Sequence, residues 1–196
     1  MNIRKLRDFV VAMTRLANAV SSGPPLMEAA KPLLGGLVAT DDWLPEGCAA
    51  HDDRYYRQYL LHCDPLERFS LVSFVWGPGQ KTPIHDHRVW GLIGVLRGAE
   101  IATRYMRQPT GSLAKVGESA RLEPGDVDAV APEIGDIHQV ANAYRDRVSI
   151  SIHVYGGNIG AVSRGVYDLQ GKEKPFISGY SSDDIPNLWD RSREAG

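Results

Sequence analysis

The chain has 196 residues, 43% of them in the hydrophobic set and 23% charged, with a formal net charge of -2. A length near 200 is the size of one domain, which can bury roughly 70% of the surface exposed by its unfolded form without a disulfide or structural metal. Lys and Arg are scattered, so no basic stripe marks a nucleic-acid partner and no charged patch marks an acidic membrane surface.

From the start, Ile3, Leu6, Val10, Met13, Ala17 and Val20 recur at three- and four-residue steps, the spacing of an amphipathic helix. Arg4, Lys5, Arg7, Asp8 and Arg15 interrupt that segment, which therefore lacks the apolar run of a signal peptide. No later window reaches the ~18 apolar residues of a membrane span. A cytoplasmic location is expected, with Cys48 and Cys63 reduced rather than joined. Ser21-Ser22-Gly23-Pro24-Pro25 ends the first helix, and Leu26 to Leu37 predicts a second, with Pro32 as its weak point.

After Trp43 the texture changes to short β-type runs. They are Tyr55 to Leu61, Phe69 to Trp76, Val89 to Leu96, Ile101 to Met106, Val127 to Ala131, and Val148 to Tyr155. Gly-Pro punctuation at Gly77-Pro78-Gly79, Arg97-Gly98, Pro109-Thr110-Gly111 and Pro124-Gly125 separates them, which predicts an all-β sandwich or barrel. The expected organisation is a single domain over 1–196: a helical segment at 1–40, a barrel at 50–170, and a tail at 171–196, with Pro175 and Pro186, that wraps the surface.

Four of the six histidines form one constellation. His85 and His87 are an H-x-H pair; on a strand, residues two apart face the same side, so both imidazoles can reach one metal while Asp86 points away. By itself the pair is weak evidence for a metal, because two ordinary barrel histidines give the same pattern more often. The surrounding residues add specificity. Gly79, His85, His87, Gly91 and Gly98 have the spacing of the first cupin motif, G-x5-H-x-H-x3,4-E-x6-G, with Gly91 in place of its Glu. Gly125, Pro132, Gly135, His138 and Asn142 resemble the second motif, with one extra residue before Pro132 and one before Gly135. The second motif brings His138 as a third ligand. Three neutral imidazoles leave a divalent ion its full charge and up to three open positions, which favours an anionic thiolate. The blander alternative is a degenerate cupin without metal.

Ser151, His153 and Tyr155 occupy alternate positions, so on a strand they share one face, opposite Ile152 and Val154. That order makes either a hydroxyl–imidazole–phenol relay or simply the polar face of a half-buried strand.

Cupin motifs lacking Glu, followed by a Ser-x-His-x-Tyr strand, resemble the cysteine dioxygenase family of thiol dioxygenases, over about Arg54 to Val166. The resemblance implies a cupin double-stranded β-helix, a jelly-roll barrel with short N-terminal helices. It also implies Fe(II) held by His85, His87 and His138, and a catalytic relay of Ser151, His153 and Tyr155. The mammalian enzyme carries a cysteine near the Gly91 position that crosslinks to its relay tyrosine. Neither Cys48 nor Cys63 lies there, so no crosslink is expected. The mammalian enzyme binds the substrate carboxylate with an Arg in the strand matching Tyr55-Tyr56-Arg57-Gln58-Tyr59; here alternation puts Arg57 and Gln58 on opposite faces, and the resemblance to the family's bacterial pattern implies that Gln58 is the inward one. This resembles the bacterial Gln-type branch, the 3-mercaptopropionate dioxygenases, in which another Arg takes the substrate carboxylate. Arg164, nine residues past Tyr155, matches that Arg, although without the family it reads equally as a solvated loop residue. Trp90 either walls the pocket or belongs to the core.

The implied reaction adds both atoms of O2 to a small carboxylated thiol, giving a sulfinate. The thiol supplies all four electrons, so no further redox cofactor is needed. Expected partners are the thiol and O2, with no nucleic acid or membrane, in a monomer or small homo-oligomer. Cysteine is the alternative substrate. A ligand-binding cupin without turnover is a reading from another class, and a Zn or Mn isomerase or lyase is disfavoured by the missing Glu.

Overall fold

In the computed structural model, which describes residues 3–182, helix α1 spans Arg4–Ala19 and buries Phe9 and Met13 from its apolar stripe. Helix α2 spans Pro24–Val38, starting where Gly23, at φ 93°, turns the chain and two prolines open the first turn. Pro32 does not break it. Its ring lies on the exposed side, where the carbonyl freed by the missing N–H can turn to water.

Among the described residues eleven strands follow: β1 Arg57–Cys63, β2 Ser70–Trp76, β3 Ile84–His85, β4 Gly91–Arg97, β5 Glu100–Arg107, β6 Leu113–Leu122, β7 Val127–Val130, β8 His138–Asn142, β9 Ser149–Tyr155, β10 Arg164–Tyr167 and β11 Glu173–Phe176. They form a five-stranded sheet, β1-β2-β9-β4-β7, and a six-stranded sheet, β11-β10-β3-β8-β5-β6, with antiparallel pairing throughout. This is the cupin double-stranded β-helix with short N-terminal helices. Among the described residues, no helix is long and apolar enough to cross a membrane.

The six expected β runs are present, with ends shifted by no more than two residues. Strand β6 escapes a pattern reading because it pairs with β5 alone and is largely exposed, so no apolar alternation marks it. Strands β3, β10 and β11 have only two to four residues each. Of the expected tail, residues 173–176 form β11, and the part from 183 onward, with Pro186, lies outside the described residues.

The central strands of the five-stranded sheet, β2, β9 and β4, are buried on both faces. On β9, Ile150, Ile152 and Val154 pack with Leu34, Leu37 and Val38 of α2 in one apolar cluster. Tyr155 points the other way, joining Val72, Phe74, Trp76 and Val140 in the barrel interior. Gly94 permits the helix to approach: a Cβ there would meet Leu34 and Val38 carbons at 3.0 Å. The helices thus cover one side of the sheet, and the other side is left to line the barrel cavity.

Candidate metal centre

His85 ends β3, and the H-x-H pair is split between strand and turn. Arg88 adopts φ 60°, and the His87 N–H donates to Asp136 Oδ2 at 3.0 Å rather than to a neighbouring strand. His138 opens β8 directly opposite His85 in the ladder. The three ring centroids lie 4.8 Å apart in every pairing, an equilateral arrangement. One nitrogen from each ring lies within 4.8 Å of the other two, and all three residues are buried.

Two rings have their Nδ1 engaged: His85 lies 3.1 Å from the Pro83 carbonyl and His87 2.8 Å from Asp136 Oδ1. Each is thereby fixed with Nε2 as the remaining nitrogen, and a carboxylate behind a ligating imidazole raises its basicity. Burial, together with the neighbouring imidazoles, holds His85 and His138 well below the ordinary histidine value, in the neutral form a metal needs. For Asp136, burial opposes ionisation, but hydrogen bonds from His87 and from the Arg88 backbone bring its carboxyl below the usual range. The donor set fits a divalent first-row metal with open positions.

No carboxylate joins these ligands among the described residues, and the fold supplies a reason. Gly91 sits opposite Tyr155 in the ladder, and a Cβ at Gly91 would come within 2.9 Å of the Tyr155 ring. The phenol occupies the space above the position where other cupins carry Glu.

Ser151 Oγ lies 2.7 Å from His153 Nε2, and His153 Nδ1 lies 2.8 Å from Tyr155 Oη. Phe74 stacks on the His153 ring at 4.2 Å, and Tyr155 stacks beside His87 at 5.6 Å. Burial and nearby positive charge keep His153 neutral, and burial pushes the Tyr155 phenol well above its ordinary value, so it keeps its proton.

Arg164 begins β10 and is only 3% exposed. Its Nη2 donates to Ser178 Oγ at 2.7 Å, its guanidinium lies 4.6 Å over the Phe176 ring, and its Nε has no partner among the described residues. No ion pair to it exists among the described residues. Asp86, on the reverse side of the H-x-H pair, accepts from the Gly165 N–H and the Tyr167 hydroxyl, each at 2.7 Å, and so pins β10 beside the histidines. Gln58 is inward, its Nε2 donating to the Gly179 carbonyl at 2.7 Å, whereas Arg57 pairs with Asp52 near the surface.

A single cavity is lined by Gln58, the three histidines, His153, Tyr155 and Arg164. Trp90 does not line it. On β4 the inward positions are Gly91, Ile93 and Val95, so Trp90 has the opposite parity and packs into the helix-side core. The pocket-wall reading of Trp90 is corrected accordingly.

A profile of the family described as cysteine dioxygenase type I matches residues 41–164, well over half of the chain. The chain belongs to the cysteine dioxygenase type I family. Membership supports a cupin thiol dioxygenase that works through a metal held by three histidines. Among solved structures, a protein from Thermus thermophilus is 21% identical over 57% of this chain and 92% of that one, with a TM-score of 0.44. A cupin superfamily protein from Desulfitobacterium hafniense is 14% identical over 60% of this chain and 94% of that one, with a TM-score of 0.43.

Several residues at this cysteine dioxygenase-family site escape a motif reading. Tyr56 lines the cavity and stacks tilted on Trp76 at 4.9 Å; its parity with Gln58 is the available signal. Asp136 lies two residues before His138, inside the second motif. Phe176 and Ser178 carry no sequence signal, because they reach Arg164 only through the β10–β11 pairing.

Proposed function

We propose that this protein is an Fe(II)-dependent thiol dioxygenase that oxidises a small carboxylated thiol, 3-mercaptopropionate in preference to cysteine, to its sulfinate. The observation that carries the substrate class is Arg164, a buried guanidinium that has no carboxylate partner among the described residues and shares a cavity with three clustered histidines. Burying an unpaired cation is costly, and an anionic substrate group relieves it. A carboxylate accepting from Arg164 would be bound by paired, charge-assisted hydrogen bonds.

The preference against cysteine follows from what else lines the cavity. No Asp or Glu is among the lining residues, and Gln58 is neutral. An ammonium group would enter beside Arg164 without a compensating charge, whereas 3-mercaptopropionate brings none.

His85, His87 and His138 would hold ferrous iron, which would supply a Lewis-acidic, redox-active centre for a thiolate and O2. The chain's own residues then act by position. Arg164, oriented by Ser178 and Phe176, fixes the carboxylate and with it the sulfur. Tyr155, held by His153, keeps a neutral phenol at the cavity wall as a hydrogen-bond partner for the reacting groups. Phe74, Trp76 and Val140 supply apolar cavity wall, which would disfavour bulk water beside the reacting groups.

The test is oxygen uptake by iron-loaded protein with 3-mercaptopropionate, cysteine and cysteamine, alongside iron content. The expected order of kcat/KM places 3-mercaptopropionate first and cysteamine, which lacks a carboxylate, last. A preference for cysteine would overturn the charge argument at Gln58; no thiol-dependent uptake at all would overturn the enzyme reading.

A further inference from the structure

Behind the relay, at the end away from Tyr155, lies a carboxyl group that neither the metal centre nor the substrate site uses. Glu100 opens β5 and is fully buried, and among the described residues neither of its carboxylate oxygens is satisfied by a hydrogen bond of ordinary geometry, although Ser151 and Trp76 are near enough to stabilise its ionised form. The polar groups that act on it are the Ser151 hydroxyl and the Trp76 indole N–H. Trp76 Nε1 itself donates to Ser151 Oγ at 3.3 Å.

We propose that Glu100 is a positioning residue for the relay: by holding a proton against Ser151, it orients the hydrogen-bond chain so that Tyr155 presents its O–H to the cavity. The inference rests on the reading of Tyr155 given under the proposed function.

The argument is one of hydrogen-bond parity. Ser151 has one proton to give and two lone pairs, and a neutral His153 has one N–H and one lone pair. With a proton on Glu100, Ser151 accepts from Glu100 and from Trp76, so its own proton must go to His153 Nε2. His153 then carries its proton on Nδ1 and donates to Tyr155 Oη, leaving the Tyr155 O–H free to donate into the cavity. With Glu100 ionised, the Ser151 proton turns to the carboxylate. His153 then donates from Nε2 to Ser151, Tyr155 donates back to Nδ1, and only phenol lone pairs face the cavity. One proton, two residues removed from the phenol, decides whether Tyr155 is a donor or an acceptor.

The surroundings favour the protonated state. Burial pushes the Glu100 carboxyl up to about 8, against the smaller opposing pull of Ser151 and Trp76. No charged group is among the influences on it. Asn142, opposite on β8, donates its amide to the carbonyls of Trp76, Gly77 and Arg147; Leu122, opposite on β6, is apolar; and Ser149 of β9 is buried, its hydroxyl without a partner among the described residues.

Two substitutions test this. Glu100→Gln can still donate to Ser151 but cannot ionise, and Glu100→Leu can do neither. The wild type is expected to lose kcat by about tenfold one pH unit above the Glu100 midpoint, a decline absent in Glu100→Gln. Glu100→Leu is expected to lower kcat about tenfold at every pH while leaving KM and iron content in place. Independently of turnover, the infrared spectrum of the purified wild type should show the C=O stretch of a protonated buried acid at pH 7. That band should disappear as pH rises through about 8 and be missing in Glu100→Gln. An absent band, a Glu100→Gln enzyme with the wild-type alkaline decline, or equal kcat in the Gln and Leu variants overturns the proposal. A wild type without thiol-dependent oxygen uptake instead overturns the proposed function, and the band alone then decides whether Glu100 holds its proton.

Discussion

The metal ligands and the carboxylate-binding group share one cavity but are secured in different ways. Pro83 and Asp136, both close in sequence to ligands of the centre, fix His85 and His87 with hydrogen bonds of 3.1 and 2.8 Å. Arg164 is instead held by Ser178 and Phe176, and Gln58 by Gly179, all from the segment after β10. The first group is braced by the two motifs themselves and the second by a later stretch of chain. Metal binding and substrate selection should therefore respond to different substitutions, even though the groups involved line the same few ångströms of wall.

The largest expected effect breaks the metal side. His85→Ala removes one of three ligands, and iron content should fall to near background, with more than about 100-fold loss of turnover, beyond the 10–100-fold that a lost outer partner costs. Asp136→Asn keeps the ligands but removes the carboxylate behind His87. Metal affinity should drop by about 10–100-fold, read by competition with a chelator, and excess iron should restore much of the activity. Arg164→Ala then tests the other side. The kcat/KM for 3-mercaptopropionate should fall by about 10–100-fold, the worth of a charge-assisted hydrogen bond, with iron content unchanged and cysteamine turnover little affected. Loss of iron in Arg164→Ala would show that the two groups are not separable.

The same contrast explains what is legible without the structure. The histidines, Gly91 and the Ser151-His153-Tyr155 alternation are local patterns, in which spacing along one strand or turn already states which side chains meet. The division of β9 into an outer apolar face and an inner polar face is likewise written in its two-residue period. Trp90 misleads as a pocket wall, because the residues Trp90-Gly91 look continuous while successive strand positions face opposite ways. Glu100 and Ser178 are silent for a different reason. Each meets its partner only through tertiary pairing, Glu100 across the barrel interior to Ser151 and Ser178 through the β10–β11 ladder to Arg164. Strand period says nothing of such contacts.

The finest test of the division is Ser178→Ala. Ser178 makes no hydrogen bond to a histidine among the described residues; its hydroxyl accepts one from Arg164 Nη2 at 2.7 Å. Removing it leaves a buried guanidinium with one fewer partner, beside an Nε that has none among the described residues. A hydrogen bond of this kind contributes about 1 kcal/mol net, close to a fivefold change in an equilibrium constant. Part of that cost is offset when substrate binds, because the carboxylate satisfies the freed N–H. The larger consequence is loss of orientation, since Phe176 alone then holds the guanidinium plane. KM for 3-mercaptopropionate should therefore rise by about three- to fivefold, with kcat and iron content close to wild type. A fall in kcat at unchanged KM would mean that Ser178 acts on the reacting end of the cavity, and that the segment after β10 helps to build the metal side as well.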